Sequence, residues 1–206
     1  MNIGEKLQIV KKMLSKAELN ERYEECLREF TIRKDVNEKK FSEGYLNKAL
    51  HNLELAGVLD ILSRNEDKKR AVEISPTSQY FDWIIITSYY SMYLAATAAL
   101  SKIGIKSSAH GSTIIALKYW YCFKKNLLER KYIQMIENAN FGKEDIQKID
   151  DAMKGRISVQ YTVSQRYGEN ESKRILKDAR EFVNKAEYRH RLSQSQQAAG
   201  YYGYAN

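Results

Sequence analysis

Hydrophobic residues recur along this chain at steps of three and four, the spacing of one face of an α-helix. The N-terminal stretch shows it first, in a stripe made of Ile3, Leu7, Val10 and Leu14. Asn20 is a candidate N-cap for the helix that follows. Residues 31–40 are highly charged and are predicted to form a connection. The pattern therefore predicts a helical N-terminal extension over residues 1–38.

A second helix is predicted from Ser42, a plausible N-cap, to about Leu62. The polar residues 63–70 follow as a predicted loop. A third helix is expected from Ser75-Pro76 to about Ile103, with Gly104 as a left-handed C-cap. This helix is apolar nearly all round, which predicts that it is the central, most buried one.

Further helical patterns follow Ser107-Ser108 and recur over residues 129–138, 146–161 and 175–186. Residues 193–206 are polar with tyrosines and glycines, and they are predicted to be a disordered tail. No strand alternation of useful length is found. The sequence therefore predicts an all-α bundle of four to five helices over residues 42–192.

The charge balance bears on the kind of partner. The formal net charge is +8, which favours anionic partners such as nucleic acid or nucleotides. Cys26 and Cys122 lie far apart, and the three histidines have no partner at ligand spacing, so no metal or cofactor is predicted. Few cysteines suit the cytoplasm. Polar residues interrupt the apolar stretch 83–100, so a membrane span is not expected.

Five segments, taken in order, resemble the HEPN domain family over residues 42–192. The third of them looks like the family's turn, in which a glycine precedes a serine-histidine element, although here Ala109 separates Ser108 from His110. The segments are residues 45–53 (YLNKALHNL), 89–96 (YYSMYLAA), 103–111 (IGIKSSAHG), 156–161 (RISVQY) and 178–183 (DAREFV). The resemblance implies a helical bundle, often a homodimer, with a cleft built around Arg156.

Many members of that family are ribonucleases of toxin–antitoxin or defence systems, often encoded with a small nucleotidyltransferase partner. Their nuclease motif is an arginine followed, after four to six residues, by a histidine. Arg156 matches the arginine, but no histidine follows, and Tyr161 takes the first of the possible positions. The phenol of a tyrosine ordinarily has a pKa of about 10, so it is a poor general base near neutral pH.

Three hypotheses follow. The first is an RNA- or nucleotide-binding protein that acts near Arg156 and Tyr161 with a nucleotidyltransferase-type partner. The second is a ribonuclease toxin in which Arg156 works with Tyr161 or with His110 as the replacement base. The third is a helical interaction scaffold. The structural alternatives are Arg156 as a surface ion-pair partner, and His110 as a cap of the fourth helix or as a hydrogen-bonding group within the fold. Tyr89 and Tyr93, in a cluster of tyrosines on the third helix, are predicted to pack in the core.

Overall fold

The computed structural model describes residues 15–124 and 168–202. The stripe at residues 3–14 and the helices predicted over 129–138 and 146–161 lie outside these ranges. The elements in chain order are α1 (Lys16–Arg28), β1 (Ile32–Lys34), a 3₁₀ helix (Val36–Phe41), α2 (Ser42–Arg64), α3 (Glu66–Ala71), α4 (Phe81–Lys102), β2 (Ile105–Ser107), α5 (His110–Leu117), a π-helical turn (Lys118–Phe123) and α6 (Glu169–Tyr202). The all-α fold class is confirmed.

Helix α4 is the centre of the bundle, as predicted, and packs against both α2 and α6. Small residues such as Ala95 and Ala96 are fully buried on it, which lets neighbouring backbones approach closely. Ser42, the first residue of α2, donates a hydrogen bond to the Ala98 carbonyl at 2.8 Å. Although α4 is long and apolar enough to cross a membrane, 78% of its apolar window is buried in the protein. Such burial is consistent with the core helix of a soluble protein.

Helix α1 begins earlier than predicted, because Ser15 and not Asn20 is its N-cap. The Ser15 hydroxyl accepts from the Glu18 amide at 3.2 Å, and the Glu18 carboxylate accepts from the Ser15 amide at 2.7 Å. This reciprocal capping box leaves Asn20 inside the helix. The helix is fixed to the rest of the molecule by Tyr23, whose ring stacks on Tyr119 with centroids 3.7 Å apart.

The charged segment 31–40 is not a plain connection, and the prediction of no useful strand is corrected here. Ile32 pairs with Ser107 in an antiparallel ribbon of two short strands, β1 and β2. Ile32 and Ile105 are both buried, so apolar burial holds a ribbon that is otherwise charged. Gly104 has φ +73 and its carbonyl accepts from the Asp35 amide at 2.8 Å. Its predicted left-handed conformation is confirmed.

The predicted loop at residues 63–70 is also corrected, because α2 runs on to Arg64 and α3 occupies Glu66–Ala71. The Asn65 side chain caps α3 by accepting from the Lys68 amide at 2.9 Å. Lys69 is buried and donates to the Pro76 carbonyl at 2.7 Å, which holds the following turn against the helix. The central helix consequently begins at Phe81, later than predicted from Ser75-Pro76.

Helix α6 buries the apolar stripe predicted for it, including Ile175, Ala179 and Phe182. It extends to Tyr202, so the prediction of a disordered tail from residue 193 is corrected for residues 193–202. The glutamines and alanines of that segment are good helix formers, which gives a physical reason for the continuation.

Candidate functional site

His110, one of the three residues predicted to form a site, is the first residue of α5. The turn before it is held by hydroxyl groups in addition to backbone hydrogen bonds. The Ser112 hydroxyl lies 2.8 Å from the Ala109 carbonyl and 3.2 Å from the Thr31 carbonyl. Thr113 bonds the same Ala109 carbonyl at 3.0 Å. Serines and threonines favour such local bonds, and here they fix the position from which the imidazole projects.

Three tyrosines of α4 surround the imidazole of His110. The Tyr89 hydroxyl is hydrogen-bonded to Nδ1 of His110. The Tyr93 ring stacks on the imidazole, with centroids 4.2 Å apart and planes 20° apart. Tyr90 meets it edge-on at 6.0 Å. Tyr89 is fully buried, while Tyr90, Tyr93 and His110 are half-buried. The tyrosine cluster predicted to fill the core therefore does so at Tyr89 and also lines a partly exposed histidine.

The bond between the Tyr89 hydroxyl and Nδ1 fixes the orientation of the His110 ring. The hydroxyl donates when Nδ1 is unprotonated and accepts when Nδ1 carries the proton, so the direction of the bond follows the tautomer of the imidazole. His110 does not provide a side-chain cap for α5, since the N-cap residue is Ala109 and the hydroxyl partner in that turn is Ser112. The helix-cap alternative for His110 is therefore wrong, and the alternative that it hydrogen-bonds within the fold is confirmed by its bond to Tyr89.

A buried carboxylate near this cluster was missed by the sequence analysis. Glu38 is 1% exposed, and its Oε1 accepts from the Tyr45 hydroxyl at 3.1 Å. Its Oε2 lies 3.3 Å from the Lys106 ammonium, on β2. Burial raises the pKa of Tyr45, and the Glu38 carboxylate raises it further. Tyr93 also acts electrostatically on Tyr45, which links this carboxylate cluster to the tyrosines around His110.

Arg156 and Tyr161, the other two predicted site residues, lie outside the described residues. Their geometry relative to His110 is not tested, and their roles stay predictions. Among the residues that the structure describes, no three histidine, cysteine or carboxylate side chains are grouped so that they could hold a metal ion.

A family model of the HEPN domain matches residues 58–189. The chain belongs to the HEPN family. A search of curated proteins gave no significant match. The HEPN match includes His110, Arg156 and Tyr161, and it begins within α2.

Helix α1, the β1 strand and the 3₁₀ helix precede the HEPN match. They nevertheless contact the HEPN part of the chain directly at the turn that carries His110. The Thr31 carbonyl accepts from the Ser108 amide at 2.9 Å, and β1 pairs with β2 immediately before it. The extension is thus part of the structure that positions His110.

Proposed function

We propose that this HEPN protein binds RNA or a nucleotide at a site formed by His110, Arg156 and Tyr161. Membership of the HEPN family supports an RNA-related or nuclease-like function. The observation that carries the proposal is the half-buried imidazole of His110, which is oriented by Tyr89 and stacked on Tyr93. An oriented imidazole beside partly exposed aromatic rings suits contact with a base or a phosphate.

In this proposal Arg156 binds a phosphate group of the ligand. A guanidinium forms bidentate, charge-assisted bonds with phosphate oxygens, and it stays protonated at any physiological pH. The histidine of the usual nuclease motif is absent after Arg156. Binding without cleavage is therefore the preferred function, since Tyr161 is a poor proton acceptor near neutral pH.

A second candidate function, ribonuclease activity, is favoured by one specific observation. Tyr89 holds His110 in one orientation, which is what a general base needs from its supporting residue. In this version Nδ1–H of His110 donates to the Tyr89 hydroxyl, so that Nε2 carries no proton and can accept one from the attacking 2′-hydroxyl. Arg156 stabilises the charge on the phosphate while the 5′-oxygen leaves and takes a proton from solvent. The toxin role of a toxin–antitoxin pair would follow from such cleavage.

The test is incubation of the purified protein with labelled total RNA, read on gels for both shift and cleavage. Arg156→Ala and His110→Ala are compared with His51→Ala, because His51 is exposed on α2 and lies outside the site. A shift without cleavage that both site variants weaken supports the binding protein. Cleavage lost in both variants supports the ribonuclease. No shift and no cleavage by wild type would overturn both and favour the scaffold.

The proposal includes partners and location. We infer a cytoplasmic homodimer that acts with a nucleotidyltransferase-type protein, as the family resemblance implies. Light scattering after size exclusion measures the oligomer. Co-expression with a nucleotidyltransferase encoded beside this chain, followed by co-purification, tests the partner. A monomer that purifies alone would contradict this part of the proposal and leave the RNA-binding part to the gel assay.

A further inference from the structure

Residues 33–40 carry four exposed cations that form no ion pair with any residue the structure describes. We refer to these four residues as the basic ribbon, and they are Arg33, Lys34, Lys39 and Lys40. Elsewhere some exposed cations are paired, for example Arg64 with Glu169 at 2.6 Å and Arg174 with Glu171 at 2.8 Å, while others such as Lys48 form no ion pair with a described residue. What distinguishes residues 33–40 is that four such cations lie within one short segment against two carboxylates, which is a local excess of positive charge.

The two acidic residues within the same segment do not neutralise the basic ribbon. The Asp35 carboxylate caps the 3₁₀ helix by accepting from the Asn37 amide at 2.9 Å. Glu38 is buried, and its carboxylate faces Tyr45, Ser101 and Lys106. Both carboxylates thus have structural roles and keep their negative charge, so the four cations still exceed the two carboxylates of the segment.

The register of the two strands places like charges opposite each other. Arg33 of β1 is the direct partner of Lys106 of β2. Like charges at directly opposed positions destabilise an antiparallel pair. The positive charge of Lys106 is balanced by the buried Glu38 carboxylate, whereas Arg33 has no such partner among the described residues. A surface that accepts this repulsion is suited to an external polyanion, which would remove it.

Two exposed aromatic residues flank the basic ribbon in the sequence. Phe41 is 46% exposed, and the Lys40 ammonium lies 5.0 Å from its ring centroid. Phe30 is 72% exposed and has φ +57. It ends α1 at a position where glycine is usual, with its amide bonded to the Leu27 carbonyl and the Thr31 amide to the Cys26 carbonyl. A bulky ring in a strained, solvent-exposed position gains nothing for the fold.

We propose that residues 30–41 are a second binding surface, which holds single-stranded RNA by its backbone and stacks its bases on Phe30 and Phe41. Cations that follow the backbone together with exposed rings are the combination by which proteins bind single strands. The inference rests on the proposed function for the kind of ligand. The Thr31 carbonyl bonds the Ser108 amide, so the surface leads directly to the turn before His110.

The charge part is tested by fluorescence anisotropy with fluorescein-labelled single-stranded oligouridylate. The ribbon variant carries Arg33→Gln, Lys34→Gln, Lys39→Gln and Lys40→Gln. The matched control carries Lys48→Gln, Lys68→Gln, Lys177→Gln and Arg180→Gln, which are also exposed and remove the same charge. The ribbon variant is expected to lose affinity by about tenfold or more and to show a flatter salt dependence, and the control to change little.

The stacking part is tested with Phe30→Gly and Phe41→Ser, alone and together. Each is expected to weaken oligouridylate binding by about fivefold or more, because each removes one stacking surface. Binding to heparin, a polyanion without bases, should stay unchanged. Phe30→Gly should also raise the melting temperature, because glycine relieves the positive φ. That combination of a more stable fold and weaker binding is not expected if Phe30 is merely structural.

Equal affinity of the ribbon variant and its control would overturn the inference. So would phenylalanine variants that bind oligouridylate as wild type does, since the surface would then be a general polyanion site. Binding to phosphatidylserine vesicles but not to oligouridylate would assign it to membranes and also overturn it. Arg156→Ala and His110→Ala are measured in the same assay. If only these two variants lose affinity, the proposed function stands and the second surface fails. If only the ribbon and phenylalanine variants lose affinity, the second surface stands and the proposed site fails.

Discussion

Gly104 joins α4 to β2 in a backbone conformation that other residues adopt at a cost. A Cβ added there would lie 3.2 Å from the Asp35 carbonyl oxygen, and φ is +73. Gly104→Ala is therefore expected to lower the free energy of unfolding by about 1–2 kcal/mol. Gly44→Ala is the matched control, because Gly44 is exposed in α2 with nothing near its Cβ position. It should stabilise the protein by about 0.5–1 kcal/mol. Urea unfolding of both variants measures the difference.

Tyr89 is hydrogen-bonded to Nδ1 of His110, which gives a prediction specific to one hydroxyl. Tyr89→Phe keeps the ring and its packing but removes the hydroxyl partner of Nδ1. We expect the tautomer ratio of the neutral His110 imidazole to change, and the free energy of unfolding to fall by about 1 kcal/mol. Nitrogen chemical shifts of the three labelled histidines report the tautomer, with His51 as internal reference. An unchanged His110 signal would contradict this hydrogen bond.

Among the elements, α2, α4 and α6 approach one another through small residues. Ala56 of α2 is fully buried beside Ile84 of α4 and Leu176 of α6. Ala56→Leu adds volume where three helices meet, and it is expected to cost about 1–3 kcal/mol of stability. Ala71→Leu is the control, since Ala71 is exposed at the end of α3. Thermal unfolding followed by circular dichroism compares them. Equal melting temperatures would mean that this packing is looser than described.

Helices α2, α4 and α6 also bring titratable side chains together, at the ends opposite to the Ala56 contact. These side chains are Glu43, Lys102 and His190. Burial lowers the pKa of His190, the Lys102 ammonium lowers it further, and the Glu43 carboxylate acts in the opposite direction. Above the ordinary value of 6.5 the imidazole is neutral in both the folded and unfolded states. As the pH falls below 6.5, the unfolded chain binds a proton that the folded chain resists, so stability is lost.

His190→Gln should therefore lose less stability than wild type between about pH 8 and about pH 5. His51→Gln is the control, since that histidine is exposed. Urea unfolding midpoints at the two pH values measure the difference. A pH dependence that is the same in wild type and His190→Gln would show that other groups determine it.

At the scale of the whole molecule, the sequence predicts the helices whose buried residues form a continuous apolar pattern within the helix itself. The apolar run from Ile84 to Leu100 predicts the central helix, and the stripe through Ile175 and Phe182 predicts α6. The β ribbon was missed because Ile32 is held by residue Ser107, far away in sequence, while its neighbours are charged. Helix α3 was missed because its stability comes from the Asn65 cap and the bond of Lys69 to Pro76, and no hydrophobic period marks either.

The candidate site was predictable only in part. His110 is found by its place after a glycine turn, and the tyrosine cluster is found by composition. Their contact depends on how α5 crosses α4, which no local pattern contains. Glu38 looks from the sequence like one charge among many, and only the fold shows it buried. Arg156 and Tyr161 rest on the family resemblance, because they lie outside the described residues.

The aromatic contact that holds α1 gives the molecule an optical signal of its own. The chain has two tryptophans. Trp83 is 54% exposed at the start of α4, whereas the indole of Trp120 donates to the Tyr23 hydroxyl at 2.9 Å. An aqueous quencher such as acrylamide should therefore suppress emission from Trp83 first. The remaining fluorescence comes from Trp120. A shift in its emission wavelength would therefore report, without any added label, that helix α1 has dissociated from the rest of the molecule.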